Sequence, residues 1–164
     1  MISRVSQVLD AVSAVQKAVT ISDSSGNTQG ITAVYPFVEW SVASVNCPFF
    51  ANMVSGGESD IVGTTTQVRN DVIHMYLLLQ PIQEGQSLSV TLQYVLDWVD
   101  AVYAAFAAAY KLHNQQSADG NGPLVNVVWI SAWDMSRYTL GATTYFGLKF
   151  DLTVQERFTA AVAL

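Results

Sequence analysis

Few side chains in this sequence have the type and spacing that chemistry needs. Cys47 is the single cysteine and His74 one of two histidines; a thiol nucleophile would need such a base, and an oxyanion donor, beside it in space. The local sequence "VNCPFFAN" points elsewhere, because a cysteine followed by Pro-Phe-Phe reads as a small apolar filler among aromatic rings. His74 is in phase with Val72 and Tyr76 in an alternating stretch, which predicts a hydrogen-bonded sheet histidine rather than a general base. Asp97 and Asp100 share a helix face at an i, i+3 spacing, which suits an acid/base pair. A solvated or interface stripe of the long helix is the expected role of the two. Zinc prefers Cys and His ligands, yet Cys47, His74 and His113 are far apart and form no HxxxH or CxxC pair. No metal site is therefore expected. The glycine stretches "GNTQG" and "GNGP" lack the lysine and the strand-to-helix setting of a phosphate cradle. Trp40, Trp98, Trp129 and Trp133 could stack on a sugar or a single-stranded nucleic acid, but the Arg or amide clusters of such sites are missing. Core or subunit contact is the expected role of these rings. The chain is not expected to be an enzyme.

The elements that would position these residues can be read from periodicity. Val5, Val8, Leu9, Val12, Val15 and Val19 recur every three or four residues, predicting a helix over Ser3 to Val19 that is held by packing rather than by valine's propensity. A loop follows from Ser22 to Gly30, then short apolar pieces "ITAVYPFVEW" and "PFFANMV", where Pro36 and Pro48 argue for edge or interrupted strands. The segment "GGESDIVGTTTQ" lacks a core pattern and reads as an exposed loop or flap. Val68 to Gln80 reads as a long strand covered on both sides in its second half. A main helix is expected from about Ser89 to Leu112, with His113 at its C-terminus where the helix dipole favours a cation. His113 to Pro123 is a polar loop, "VNVVWISAW" a strand and "DMSRYTLGA" a turn region.

The last strand, Thr143 to Phe158, alternates cleanly. Phe146, Leu148, Phe150, Leu152 and Val154 fall on one face, and Tyr145, Lys149, Asp151, Thr153 and Gln155 on the other. Gly147 inside it marks a bulge or a close backbone approach. Strands joined directly to strands predict an α+β domain over residues 1–164: a mixed, largely antiparallel sheet with the N-terminal helix and the long helix packed mainly on one face.

With 51% hydrophobic and only 12% charged residues, the surface must carry uncharged area, best covered by neighbouring subunits. A net charge of −6 with scattered Lys and Arg argues against electrostatic nucleic-acid binding. One cysteine allows no intrachain disulfide and fits a reducing compartment. No signal peptide is expected at the N-terminus, and the greasiest stretch, "AVYAAFAAAYKL", is too short to span a bilayer.

Taken together, helix, strands, the long strand "VRNDVIHMYLLLQP", the long helix and a closing pair ending in "GATTYFGLKFDLTVQER" resemble the tail terminator, or tail-completion, proteins of long-tailed bacteriophages. The resemblance spans nearly the whole chain and rests on element order. It implies a virion structural protein, assembled in the host cytoplasm, that forms a homo-hexameric ring on the head-proximal end of the tail tube. Its partners would be copies of itself, the tail-tube protein and a neck or head-completion protein, with DNA passing through without specific binding. It implies no enzymatic activity and no cofactor. In such a ring Tyr145, Lys149, Asp151, Thr153 and Gln155 would meet a neighbour or line the channel, with Arg137, Glu156 and Arg157 as charged partners. A head-tail adaptor, a tail-tube subunit, and a small ligand-binding domain or enzyme using "YPFVEW" and "CPFF" are the competing readings.

Overall fold

The computed structural model describes residues 4–37, 46–62, 66–83, 87–117 and 122–159. It contains helix α1 (Arg4–Lys17), a small hairpin of β1 (Thr20–Ser22) and β2 (Thr28–Gly30), and strands β3 (Ala33–Tyr35), β4 (Phe49–Ile61) and β5 (Thr66–Pro81). Helix α2 (Leu92–Ala108) follows, then β6 (Val127–Leu140) and β7 (Thr143–Thr159). The main sheet has the order β3-β4-β5-β7-β6. Its β3 runs parallel to β4 and every other neighbouring pair is antiparallel. The expected α+β class and mixed sheet are what the chain adopts.

Both helices pack on one face of this sheet. Val8, Leu9, Val12 and Val15 of α1 and Val95, Trp98, Val99, Val102 and Phe106 of α2 share a core with Phe50, Ile73, Met75, Leu77, Leu148, Phe150, Leu152 and Val154. The strand residues in that set alternate along β5 and β7, as a one-sided core requires. Within it, Gln16 and Asn52 are fully buried and exchange two amide hydrogen bonds, at 2.7 and 2.9 Å. That pair satisfies two groups whose burial would otherwise cost about 1–3 kcal/mol each, and it ties α1 to β4.

Three expectations are corrected. The segment "GGESDIVGTTTQ" is no loop over its described part: β4 continues to Ile61, pairing with β5 as far as Gln67. Glycines and acids carry no strand signal of their own, so the partner β5 holds this arm extended. Its start is a bulge at Gly56, whose φ of +129° only glycine adopts readily. "DMSRYTLGA" is likewise strand rather than turn, because β6 pairs with β7 all the way to Leu140 opposite Thr143. The long helix starts at Leu92 rather than Ser89, since the Thr91 side chain accepts the Tyr94 N–H and fixes the N-cap there. It ends at Ala108, so His113 lies beyond it in a short 3-10 turn with a left-handed backbone. The readings on Trp40 and the second half of "YPFVEW" lie outside the described residues.

Gly147 fulfils both of its expected roles. The β5–β7 register shifts between Leu78 and Gln80, beside it, and a Cβ there would collide with the Leu77 carbonyl oxygen and crowd Leu78 Cα and Cδ2 at 3.1 Å. Backbone atoms of a paired strand cannot yield cheaply. Gly147→Ala is expected to lower unfolding free energy by about 1–3 kcal/mol, read as a fall in the urea midpoint; a midpoint equal to wild type would show that the strands separate at no cost.

Candidate functional site

The face of the sheet opposite the helices carries the polar residues of β7, and it is built as a network within the chain. His74 Nδ1 lies 2.6 Å from Asp151 Oδ1 across the β5–β7 pair. Lys149 Nζ lies 3.7 Å from the same carboxylate oxygen and 3.3 Å from Asp134 Oδ1 on β6. The Tyr138 hydroxyl donates to Asp134 Oδ2 at 2.6 Å. Further along, Thr153 Oγ1 donates to Ser131 Oγ, Gln155 Nε2 donates to Asn70 Oδ1, and Asn126 Nδ2 donates to Gln155 Oε1. Each residue from Lys149 to Gln155 on this face therefore bonds to β5, to β6 or to the segment just before β6.

Titration follows these surroundings. Burial and the bond from Tyr138 to Asp134 push the Tyr138 phenol well above the usual tyrosine range. Burial likewise raises Tyr76, with Lys149 opposing. For Lys149 burial acts downward, but the bond to Asp134 and the charges of Asp134 and Asp151 outweigh it and raise the ammonium.

Above the network the face turns apolar. Phe49, Ala51, Leu78, Leu140 and Tyr145 form a second buried cluster, with Tyr35, Cys47, Tyr76 and Tyr138 packed against it. Tyr76 pairs with Lys149 and Tyr138 with Tyr145, so Gly147 lies between the two tyrosines on the strand that separates them. With no side chain there, their rings meet edge to face at 5.1 Å between centroids. Beside them opens a cleft of about 250 Å³ lined by Met53, Tyr76, Leu78, Arg137, Tyr138, Thr139 and Leu140.

The residues expected at an interface or channel thus separate into groups. Lys149, Asp151, Thr153 and Gln155 share the open face as expected, although Thr153 is buried by its neighbours. Tyr145 is on that face but is not available to a partner: it is buried, with its ring edge-on to Phe49 at 5.3 Å. Glu156 is corrected more strongly. It continues the core phase of Phe146 to Val154, its side chain is 1% exposed, and its Oε2 lies 3.2 Å from both Arg4 Nε and Arg69 Nη2. Arg137 and Arg157 are exposed, Arg137 at the rim of the cleft. Sequence reasoning missed the cleft, because it depends on which aromatic residues flank Gly147 across three strands.

The arrangement offers little reactive chemistry. His74 and Asp151 make an imidazole–carboxylate pair, but the nearby hydroxyls of Ser131 and Thr153 bond elsewhere, Ser131 Oγ to the Asp151 carbonyl oxygen. Among the described residues no three His, Cys, Asp or Glu side chains gather where they could hold a metal ion. Cys47 packs beside the second cluster as the filler expected, and burial pushes its thiol up to about 11. Its alkylation rate should accordingly stay low at pH 8 and rise only as pH nears that value, followed by mass spectrometry; rapid labelling at pH 8 would mean an activated thiol. Trp98 is core, whereas Trp129 and Trp133 stand exposed on edge strand β6. No described helix is long and apolar enough to cross a membrane. No protein-family model matches this chain, and no curated protein matches it.

Proposed function

We propose that this chain is a structural protein of a long-tailed bacteriophage virion, which caps the head-proximal end of the tail tube as a hexameric ring. There it ends tube growth and presents a surface to the neck. The observation that carries this reading is the one-sided sheet: helices cover one face, and the other combines a tied-down polar network with an apolar cleft and long strand edges. A surface of that kind suits a rigid block packed against copies of itself better than it suits a catalyst. The acidic balance of the chain fits a channel that lets DNA pass without holding it.

The test is the mass of the purified protein by light scattering, with negative-stain imaging. Discrete rings near six times 17.8 kDa support the proposal; a monomer at every concentration, with no binding to tube ends, overturns it. One observation favours a second reading as a tail-tube subunit, namely that "GGESDIV" is outer strand beyond the reach of β3, with an edge that could pair with a next ring. Spontaneous growth into long tubes would select that alternative.

On the ring reading, Asp151→Lys places a second cation beside Lys149, removes the carboxylate bonded to His74 and should weaken assembly at least several-fold. Asp151→Asn, which keeps a hydrogen-bond acceptor for His74, should weaken it less. Circular dichroism would confirm that both fold, and an unchanged oligomer in folded Asp151→Lys would remove this face from the interface.

A further inference from the structure

The cleft beside Gly147 has the size and lining of a socket for one or two side chains. Its volume of about 250 Å³ is below the roughly 300–1,000 Å³ of small-molecule pockets. Its walls are the rings and aliphatic chains of Met53, Tyr76, Leu78, Tyr138 and Leu140, and its rim carries exposed Arg137. A fitting ligand is apolar at its tip with negative charge close behind.

The chain itself has one such segment. The arm of β4 and the residue after it read "Glu58-Ser59-Asp60-Ile61-Val62"; Ile61 is 83% exposed, more than any other large apolar residue described, and Val62 beside it is 64% exposed. Glu58 and Asp60 are exposed on the same arm. Acids followed by an apolar tip complement an apolar socket with an arginine rim in both charge and polarity. The arm cannot reach its own cleft. Ile61 pairs with Gln67 whereas the cleft is at Leu78 on the same strand β5, and eleven strand residues separate the two by roughly 35 Å.

We infer that the β4 arm tip, Ile61 and Val62, docks in the Gly147 cleft of a neighbouring copy, with Glu58 and Asp60 set against Arg137. Tip and socket are different patches at opposite ends of one strand, so the contact is head to tail. Each copy uses its tip on one neighbour and its socket on the other, the arrangement that closes into a ring. The inference rests on the ring reading and supplies its contact.

The test is a cysteine pair, Ile61→Cys with Thr139→Cys, in full-length protein with Cys47→Ala; Ile61 and Thr139 are exposed, so folding is spared. Mild oxidation of the assembled protein should give a ladder of linked species up to the whole ring, which either single cysteine fails to give. Linkage stopping at dimers would mean a two-fold contact and overturn the head-to-tail geometry. Rings that form yet do not cross-link would overturn the contact while leaving the ring reading intact, and a wild type that stays monomeric and does not bind tube ends would sink both. Independently, Arg137→Glu should raise the concentration for half assembly roughly tenfold or more, and adding Glu58→Lys with Asp60→Lys should restore most of that loss. Failure of the restored variant would remove the charge pairing.

Discussion

Glu156→Ala is expected to cost about 3–5 kcal/mol, the range found when one partner of a buried ion pair is deleted. Glu156 Oε2 sits 3.2 Å from Arg4 on α1 and 3.2 Å from Arg69 on β5, and both guanidiniums lie over the Phe158 ring, at 5.0 and 5.2 Å. Arg4 also donates to the carbonyl oxygens of Pro123 and Leu124. Removing the carboxylate would leave two cations facing each other across a void. The check is a urea titration of the purified variant, and a loss under 1 kcal/mol would show that the cluster is wetter than its burial implies.

Glu156 also gives a pH signature with a definite sign. Burial raises its carboxyl above the ordinary glutamate value, with Arg69 and Arg4 acting in the opposite direction. A folded-state pKa above the unfolded one means that the folded protein holds the proton more tightly. That contribution to stability is complete below the unfolded pKa and is lost as pH rises through the folded pKa. The stability of wild type minus that of Glu156→Gln should therefore shrink as pH rises from about 4 through the raised titration range, then level off. A difference that grows with pH would mean that the two arginines prevail over burial.

Phe150→Ala should cost a comparable 3–5 kcal/mol, by roughly the measure of buried aromatic truncations. The ring is fully buried on the helix side of β7, between Met75 of β5 and Trp133 of β6 in register, and Tyr103 of α2 meets it edge-on at 6.4 Å. Sheet and helix both lose a partner, and close-paired backbones on either side limit collapse into the hole. A lowered urea midpoint with unchanged slope would confirm it. A small loss would mean that exposed Trp133 swings inward to fill the space.

What the sequence made legible was whatever its own pattern enforces. Phe146, Leu148, Phe150, Leu152 and Val154 announce a strand face because period-two alternation has no other use, and the valines of α1 announce a stripe. The continuation of that alternation to Glu156 was equally readable. A charged residue in core phase is a signal for a buried ion pair, and Arg4 and Arg69 were the partners it needed. The β4 arm was illegible, since Gly56, Gly57, Glu58 and Asp60 become strand only through pairing with β5. Tyr145 misled for a related reason: alternation assigns a face, but whether that face is covered depends on Phe49 and Leu140 arriving from other strands. The cleft, likewise, exists only in the juxtaposition of β4, β5 and β6 around a glycine on β7.

The position of β7 has a consequence for how the chain is made. It is the last of the described strands in sequence, yet it lies inside the sheet between β5 and β6, and the bond from Arg4 to Glu156 joins residues 152 positions apart. As the chain emerges from the ribosome, the long edge of β5 that pairs with β7 must wait unpaired until β7 is released, open to any other strand in the meantime. The sheet is thus completed only once β7 has been made, and termination of the chain before Thr143 would yield a sheet with an unfilled gap at its centre, a species bound for aggregation rather than a shorter working protein.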